Sequence, residues 1–256
     1  MLMVYGNGKP SNVEELREKL GPFLLRRTAK DVRDNQVKVK YTYPKCKESV
    51  KLDVNEELHV ILKMTAETKY PLTCKLLDLY TNVVGVKVVL FCYHRHVISH
   101  FLTKYKDKAV KLDGSMSADK KHKAIQDFIH EDSIQIFIGQ IRASGVGLNG
   151  LQHASSVCIF HELPWTYTDY GQAVGRLDRI GQTSSIVNVI TPVLKGSLDY
   201  IQLKRINERN DFSSSFLEGE TTGYESYCET KQNNNKQQRR NNHGCNAQLV
   251  KHRNYP

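Results

Sequence analysis

Cysteine is scarce in this chain and never paired. Cys46, Cys74, Cys92, Cys158, Cys228 and Cys245 include no C-x-x-C, which excludes the usual zinc spacing and a small disulfide framework. Reduced thiols of an intracellular protein are the expectation. Long apolar runs are missing too. The longest, near Val86–Tyr93, falls far short of the roughly 20 residues that cross a membrane. Met1–Pro10 (MLMVYGNGKP) has no apolar stretch like that of a signal peptide. Together these absences predict a soluble protein working inside the cell, in the nucleus if that cell is eukaryotic and otherwise in the cytoplasm or nucleoid, with no membrane partner. Acid is in deficit: 37 Lys and Arg face 27 Asp and Glu, a formal charge of +10. Such a balance suits a polyanion such as nucleic acid, or else a lysine-rich solvated surface. Also missing is a phosphate-cradling G-x-x-x-x-G-K-[ST]. At its nearest approach, Gly8-Lys9-Pro10, proline replaces the hydroxyl residue and Met3 stands where the first glycine belongs. No acidic pair closes an apolar strand, so no magnesium ligand is visible.

What is present falls into three zones. Residues 1–70 carry a helical pattern at Val13–Leu20, then Phe23–Thr28, then period-two alternation over Val37–Tyr43 and Glu48–Val54. Asn55–Val84 reads as helix interrupted at Pro71. Residues 71–219 are regular. Apolar strand patterns at Val86–Tyr93, Ala109–Leu112, Ile134–Ile138, Ser156–His161 and Ile186–Pro192 alternate with helical ones at His94–Tyr105, Ser117–His130, Tyr167–Val174 and Ser197–Asn210. Short, buried strands alternating with helices predict an α/β fold, a doubly wound parallel sheet with helices on both faces. Residues 220–256, rich in Asn, Gln and base (Lys231–Arg240, KQNNNKQQRR), cannot bury enough surface to order themselves and are expected to form a disordered basic tail.

The most specific pattern is Gln172–Gln182, QAVGRLDRIGQ. Arg176 and Arg179 follow a glycine at a spacing of three, so a helix or tight turn projects both from one face. Paired planar guanidinium forks suit phosphate and can neutralise charge on a transferring phosphoryl group. The plainer alternative is an exposed helix whose Arg179 pairs with Asp178 or Asp169. Two other patterns resemble sites. Gly145–Gly150 spells G-x-G-x-x-G, with Glu162 about 17 residues past the first glycine, the outline of a dinucleotide fingerprint. Too few residues separate Gly150 from the next strand for the helix that fingerprint requires. His94, His96 and His100 cluster at a helix start without a Cys or carboxylate at ligand spacing, so they read as a polar face rather than a metal site.

The Q-x-x-G-R-x-x-R-x-G-Q frame resembles motif VI of superfamily II helicases, and its R-I-G-Q ending resembles the Swi/Snf-type ATPases. Other blocks follow in that family's order. Phe23–Thr28 (FLLRRT) is similar to the inter-lobe block, and Val88–His94 (VVLFCYH) to motif IV. Lys111–Ser117 (KLDGSMS) is similar to the L-D-G-S block, Gly139–Asn149 (GQIRASGVGLN) to motif V, and Val157–Trp165 (VCIFHELPW) to the strand and Trp before motif VI. The E-L-x-W form and Lys195–Asp199 (KGSLD) are similar to the annealing-helicase branch. The resemblance implies a RecA-like second motor lobe of a DNA-dependent ATPase or translocase, using ATP and magnesium held mainly by a first, P-loop lobe not found in this sequence. It implies that residues 1–70 are the end of that first lobe and the linker. Arg176 and Arg179 would be arginine fingers, with Gln172, Gly175 and Gly145 shaping the nucleotide side. Asp113, Gly114, Ser115, Gln140, Arg142 and Ser144 would lie along the phosphates of one DNA strand without reading its sequence. Trp165 would contact DNA, brace its loop or simply pack. Two departures stand out: Gln140-Ile141-Arg142-Ala143-Ser144 replaces the remodellers' S-T-R-A-G, and Asp178 replaces their usual His. The other reading is a non-catalytic nucleic-acid-binding module left by truncation of such a motor.

Overall fold

The computed structural model of the chain describes residues 5–6, 9–10, 37–49, 57–141, 143 and 149–218, with side chains within 37–209. The helical pattern at 13–20, the block at 23–28, residues 50–54 and the basic tail lie outside the described residues. The chain divides into two units, residues 24–206 and residues 1–23 with 207–256. In the second, β1 (Tyr5–Gly6) and β2 (Lys9–Pro10) pair antiparallel, Tyr5 opposite Pro10.

The larger unit begins with β3 (Lys38–Thr42), β4 (Lys45–Ser49) and α1 (Leu58–Asp78). It continues with β5 (Val88–Cys92), α2 (Arg95–Lys104), β6 (Ala109–Leu112) and α3 (Ala118–His130). Then come β7 (Ile136–Gln140), α4 (Leu151–Ala154), β8 (Val157–Phe160) and α5 (Tyr167–Val174). Last are β9 (Ile186–Ile190), β10 (Val193–Lys195) and the first turns of α6 (Asp199–Glu218). Six strands form one all-parallel sheet in the order β3-β9-β8-β5-β7-β6. The chain leaves the central β5 for one edge, returns through β7, and crosses to β8 and β9 on the other side.

Alternation along β5 shows why both faces are covered. Val89 and Phe91 pack with Phe128 of α3, Leu151 of α4 and Tyr170 and Val174 of α5. Val88, Leu90 and Cys92 pack with Ala66 and Leu77 of α1 and Val97, Ile98 and Phe101 of α2. A strand buried on both sides needs an uninterrupted apolar run, and Val88–Cys92 is one. At its amino end, Lys87 Nζ donates to the carbonyls of Phe128 at 2.7 Å and Glu131 at 2.9 Å. That cation closes the carboxyl end of α3, where helix carbonyls are otherwise unsatisfied.

Three features differ from the sequence expectation. The strand expected at Val37–Tyr43, upstream of the boundary at residue 71, is the sheet's own edge: β3 runs beside β9 from Lys38↔Ile186 to Thr42↔Ile190. The strand pairing is then interrupted by the links 43–44 and 191–192, each of which contains a proline, Pro44 and Pro192. Hydrogen bonds Thr191 N to Thr42 O (2.9 Å) and Val193 N to Pro44 O (2.8 Å) carry it across those links. It resumes as β4 beside β10, so the second strand starts at Lys45, ahead of the Glu48 that alternation pointed to. Finally, Pro71 does not break α1. It is exposed, while Ala66, Lys69, Thr73, Cys74 and Leu77 form the buried face. A proline ring on the solvent side costs one hydrogen bond but leaves that packing intact.

The buried face of α1 is partly charged. Lys69 Nζ meets Asp199 Oδ1 at 2.8 Å with both side chains almost fully enclosed, and Asp199 Oδ2 accepts from Leu194 N at 2.9 Å. Thr73 Oγ1 lies 2.8 Å from His161 Nδ1. Burial first, and then the Lys69 charge, push the His161 imidazole down to about 3, so it is neutral. No helix of the described residues is long and apolar enough to cross a membrane.

Candidate functional site

Thr166 starts α5 by accepting from Asp169 N at 3.1 Å, and Tyr170, Ala173 and Val174 bury its inner face. The helix closes at Gly175, whose N–H reaches Gly171 O at 2.8 Å. A Cβ at Gly175 would stand 3.1 Å from that carbonyl, so the turn is tight enough to favour glycine without any left-handed dihedral. Overlapping turns follow: Arg176 N to Ala173 O (3.2 Å), Leu177 N to Val174 O (2.9 Å) and Arg179 N to Leu177 O (2.9 Å). Leu177 is completely buried and anchors the loop between the two arginines. Arg176 is half-buried, Arg179 and Gln172 are exposed. Burial first, and then the neighbouring Arg179 cation, lower the Arg176 guanidinium from its ordinary range. The two cations therefore share one field, which an anion would relieve.

The rest of the frame holds this loop to the segment preceding β8. Arg179 Nη1 donates to Asn149 Oδ1. Gln182 Nε2 donates to Ser155 O at 3.0 Å and Leu177 O at 3.1 Å, and its Oε1 accepts from Ser184 N. Gly181 has φ +93°, and a Cβ there would come within 2.6 Å of His153 Cε1. Sequence reasoning passed over Asn149, Gly181 and Gln182 as site residues, although all three stand inside the quoted frames.

A second set sits at the opposite, carboxyl edge of the sheet. Asp113, expected near the phosphates, is buried with its carboxylate turned into its own loop. It accepts from Lys111 Nζ at 2.9 Å, from Ser115 N at 2.9 Å and from the Ser115 hydroxyl. Burial alone would raise its carboxyl; these bonds outweigh that and hold it at about 2. Asp113 thus shapes the loop that exposes Gly114 and Ser115. Gln140 ties that loop to the one after β5, accepting from Gly114 N at 3.1 Å and donating to Tyr93 O at 3.2 Å. Arg95 Nη2 reaches Ser115 Oγ at 3.2 Å. Trp165 is half-buried in a cleft with Leu62, Thr65, Tyr93, His94 and Glu162. Arg142, Ser144 and Gly145 lie outside the described residues. Gly150 leads into the single turn of α4, so the G-x-G-x-x-G run opens no full helix. Among the described residues no group of three or more His, Cys, Asp or Glu side chains is placed to hold a metal ion.

Residues 68–181 match the helicase conserved C-terminal domain. Over 125 residues the chain is 31% identical to the chromatin-remodeling ATPase INO80 of Eremothecium gossypii, covering 49% of this chain and 9% of that protein. It is 28% identical over 123 residues to human INO80, covering 48% and 8%. Against the human DNA annealing helicase and endonuclease ZRANB3 it is 28% identical over 138 residues, covering 53% and 12%. The chain therefore spans about a tenth of the length of these relatives. The crystal structure of the C-terminal part of the Fun30 ATPase domain superposes with TM-score 0.50 at 27% identity, covering 54% of this chain and 45% of that one. The parallel α/β body is thus similar, over residues 68–181, to the helicase C-terminal domain and to the corresponding part of these remodelling ATPases.

Proposed function

We propose that this chain is the second motor lobe of a DNA-dependent ATPase of the translocating, helicase-like type, acting inside the cell and in a eukaryote in the nucleus. Arg176 and Arg179 are its arginine fingers, with Gln172, Gly175 and Gly145 bordering the nucleotide. Gly114, Ser115, Arg142 and Ser144 follow the DNA backbone, and Asp113 and Gln140 hold that path in shape. Trp165 flanks it. ATP and magnesium are held mainly by a P-loop lobe, which this sequence lacks and another segment or chain must supply. The observation that carries the reading is the tethered loop itself. Two guanidinium groups in one field, anchored by Leu177 and braced through Asn149 and Gln182, suit charge that develops on a transferring phosphoryl group. The E-L-x-W and K-G-S-L-D stretches favour the annealing branch of the family.

The isolated chain should show no ATPase above background. Mixed with a P-loop lobe from its own genome, it should restore DNA-stimulated hydrolysis. Arg176→Ala or Arg179→Ala should then lower the rate on the order of 10³-fold while leaving DNA binding nearly unchanged. Lysine at either position rescues poorly, because a point charge lacks the planar fork. Alanine variants that hydrolyse ATP like the parent but lose DNA would make the loop a DNA patch and the chain a non-catalytic binding module.

A further inference from the structure

The two faces of the sheet are covered unequally. Among the described residues α3, α4, α5 and the first turns of α6 pack on one face, whereas α1 and α2 alone pack on the other. Two helices about 10 Å across reach over about four strands spaced about 4.8 Å apart, and the sheet has six. The pair left over is β9 and β3. One flank of α1 lies against α2. Tyr70 meets Phe101 with ring centroids 4.6 Å apart, and the Tyr105 hydroxyl, just after α2, donates to Cys74 O at 3.2 Å and Asp78 Oδ1 at 3.0 Å. The other flank therefore faces β9. Helical spacing puts Leu72, Leu76 and Leu79 on it, and α1 runs on into a π-helical turn over Leu79–Val83. Leu79 is 44% exposed, Val83 77% and Val84 55%. Beside them the sheet offers Ile186, 40% exposed. Val187 and Val189 point into the opposite core, so alternation leaves Ile186 on this side, with Lys38 directly across from it and Lys40 across from Asn188. The register Val88↔Val157 and Val157↔Asn188 sets Ile186 at the end of the sheet where α1 runs out.

We propose that this uncovered shelf docks an amphipathic helix of a partner protein, with its apolar stripe on Leu72, Leu79, Val83 and Ile186 and its carboxylates toward Lys38, Lys40 and Lys75. An apolar stripe of this kind on a charged surface marks a contact site, and a helix laid beside it would complete the layer that α1 and α2 begin. From Leu72 to Val84 the wall is about 18 Å long, room for a helix of about twelve residues. Charge selects the partner. Lys75 lies between Leu72 and Leu79 at helical spacing, on the outer side of the stripe, and Lys38 and Lys40 border it along β3. Among the described residues these three lysines make no ion pair. The nearby carboxylate of Asp78 is on the α2 flank, held by Tyr105. A helix with acid on both sides of its stripe meets cations on both sides of the shelf. A second copy of the chain would set lysine against lysine, and a nucleic acid would leave the apolar stripe unmatched. The shelf also lies on the face of the sheet turned away from α5 and Leu177, apart from the loop that carries Arg176 and Arg179.

The test uses the full chain and a fluorescein-labelled helical peptide of about 16 residues, with leucine along one face and glutamate on both sides of it, read by fluorescence anisotropy. Binding should saturate. Leu79→Glu and Val83→Glu, both at exposed positions, should each weaken it on the order of tenfold with Tm unchanged. Charge reversal gives an independent arm. The triple variant Lys38→Glu, Lys40→Glu, Lys75→Glu should lose the acidic peptide and gain a version with lysine in place of glutamate, which the parent ignores. Parent binding that fails to saturate, or that Leu79→Glu leaves unchanged, refutes the proposal. So does a mass that doubles with concentration and returns to the monomer in Leu79→Glu, since a second copy would then occupy the shelf. Displacement of the peptide by duplex DNA, lost in the triple variant, would make the shelf a nucleic-acid patch and overturn the proposal equally. None of these readouts involves ATP or the Arg176 loop, so their outcome is independent of the motor reading.

Discussion

Lys69→Met tests how the lobe is fastened. The lysine is 1% exposed and Asp199 2%, and their 2.8 Å contact joins α1 to the start of α6. Methionine fills nearly the same volume, so the packing contribution of the stem survives and the charge alone is lost. Asp199 is then left as an enclosed carboxylate with the Leu194 N–H on its other oxygen. Removing one partner of such a pair typically costs about 3–5 kcal/mol, a large part of the ~5–15 kcal/mol that holds an ordinary domain together. For a domain of this size that lowers Tm by about 6–20 °C. Urea unfolding followed by circular dichroism would measure it, with Asp199→Asn and the double variant completing a cycle. The double variant should recover to within about 2 kcal/mol of the parent, because two neutral groups leave no stranded charge. A single-variant cost below about 1 kcal/mol, or a double variant as unstable as the sum of the singles, would refute the reasoning.

Two further outcomes follow from the geometry. His161 is neutral in the fold and its pKa lies well below that of the unfolded chain, so unfolding takes up a proton between about pH 6.5 and about 3. Stability should therefore fall as pH drops through that window, and His161→Gln should remove this part of the slope in Tm measured against pH. Gly181→Ala places a side chain at φ +93° with its Cβ 2.6 Å from His153. A cost of about 1–2 kcal/mol for the backbone should remain even when His153→Ala clears the contact, and calorimetry of the single and double variants separates the two parts.

Much of this lobe was legible in the sequence because its strands are apolar runs and its helices carry apolar stripes. Ala109–Leu112 and Tyr167–Val174 stand where periodicity placed them. The start of β4 was not legible, since alternation over Glu48–Val54 says nothing of the register that Val193↔Lys45 imposes beyond the proline links. Pro71 misled for a related reason: a proline is a local signal, whereas the face it occupies is decided by tertiary packing. The loop carrying Arg176 and Arg179 could be read because its arginines are neighbours in the chain. His94 and Glu162 could not be joined in this way, because only the strand order brings the ends of β5 and β8 together. Glu162 drew notice as a dinucleotide-type acid, and the structure gives one of its oxygens to the backbone after β5 and the other to the His94 ring.

The pairing of β3 with β9 bears on how the protein is made. β3 leaves the ribosome well ahead of its neighbour β9, so the sheet edge closes by a contact between sequence-distant segments, the slow kind. With chain growth at roughly 5–20 residues per second, KVKYT waits many seconds without a neighbour. Lys38 and Lys40, both exposed, suit that wait, because charged side chains discourage strand-to-strand aggregation. The same pairing fixes where the protein can be cut. Trimming to residue 71 would remove β3 and β4 and bare Val187 and Val189, which the intact lobe buries completely. The shortened chain should gather into aggregates through the new edge, where one that starts before Val37 stays dispersed.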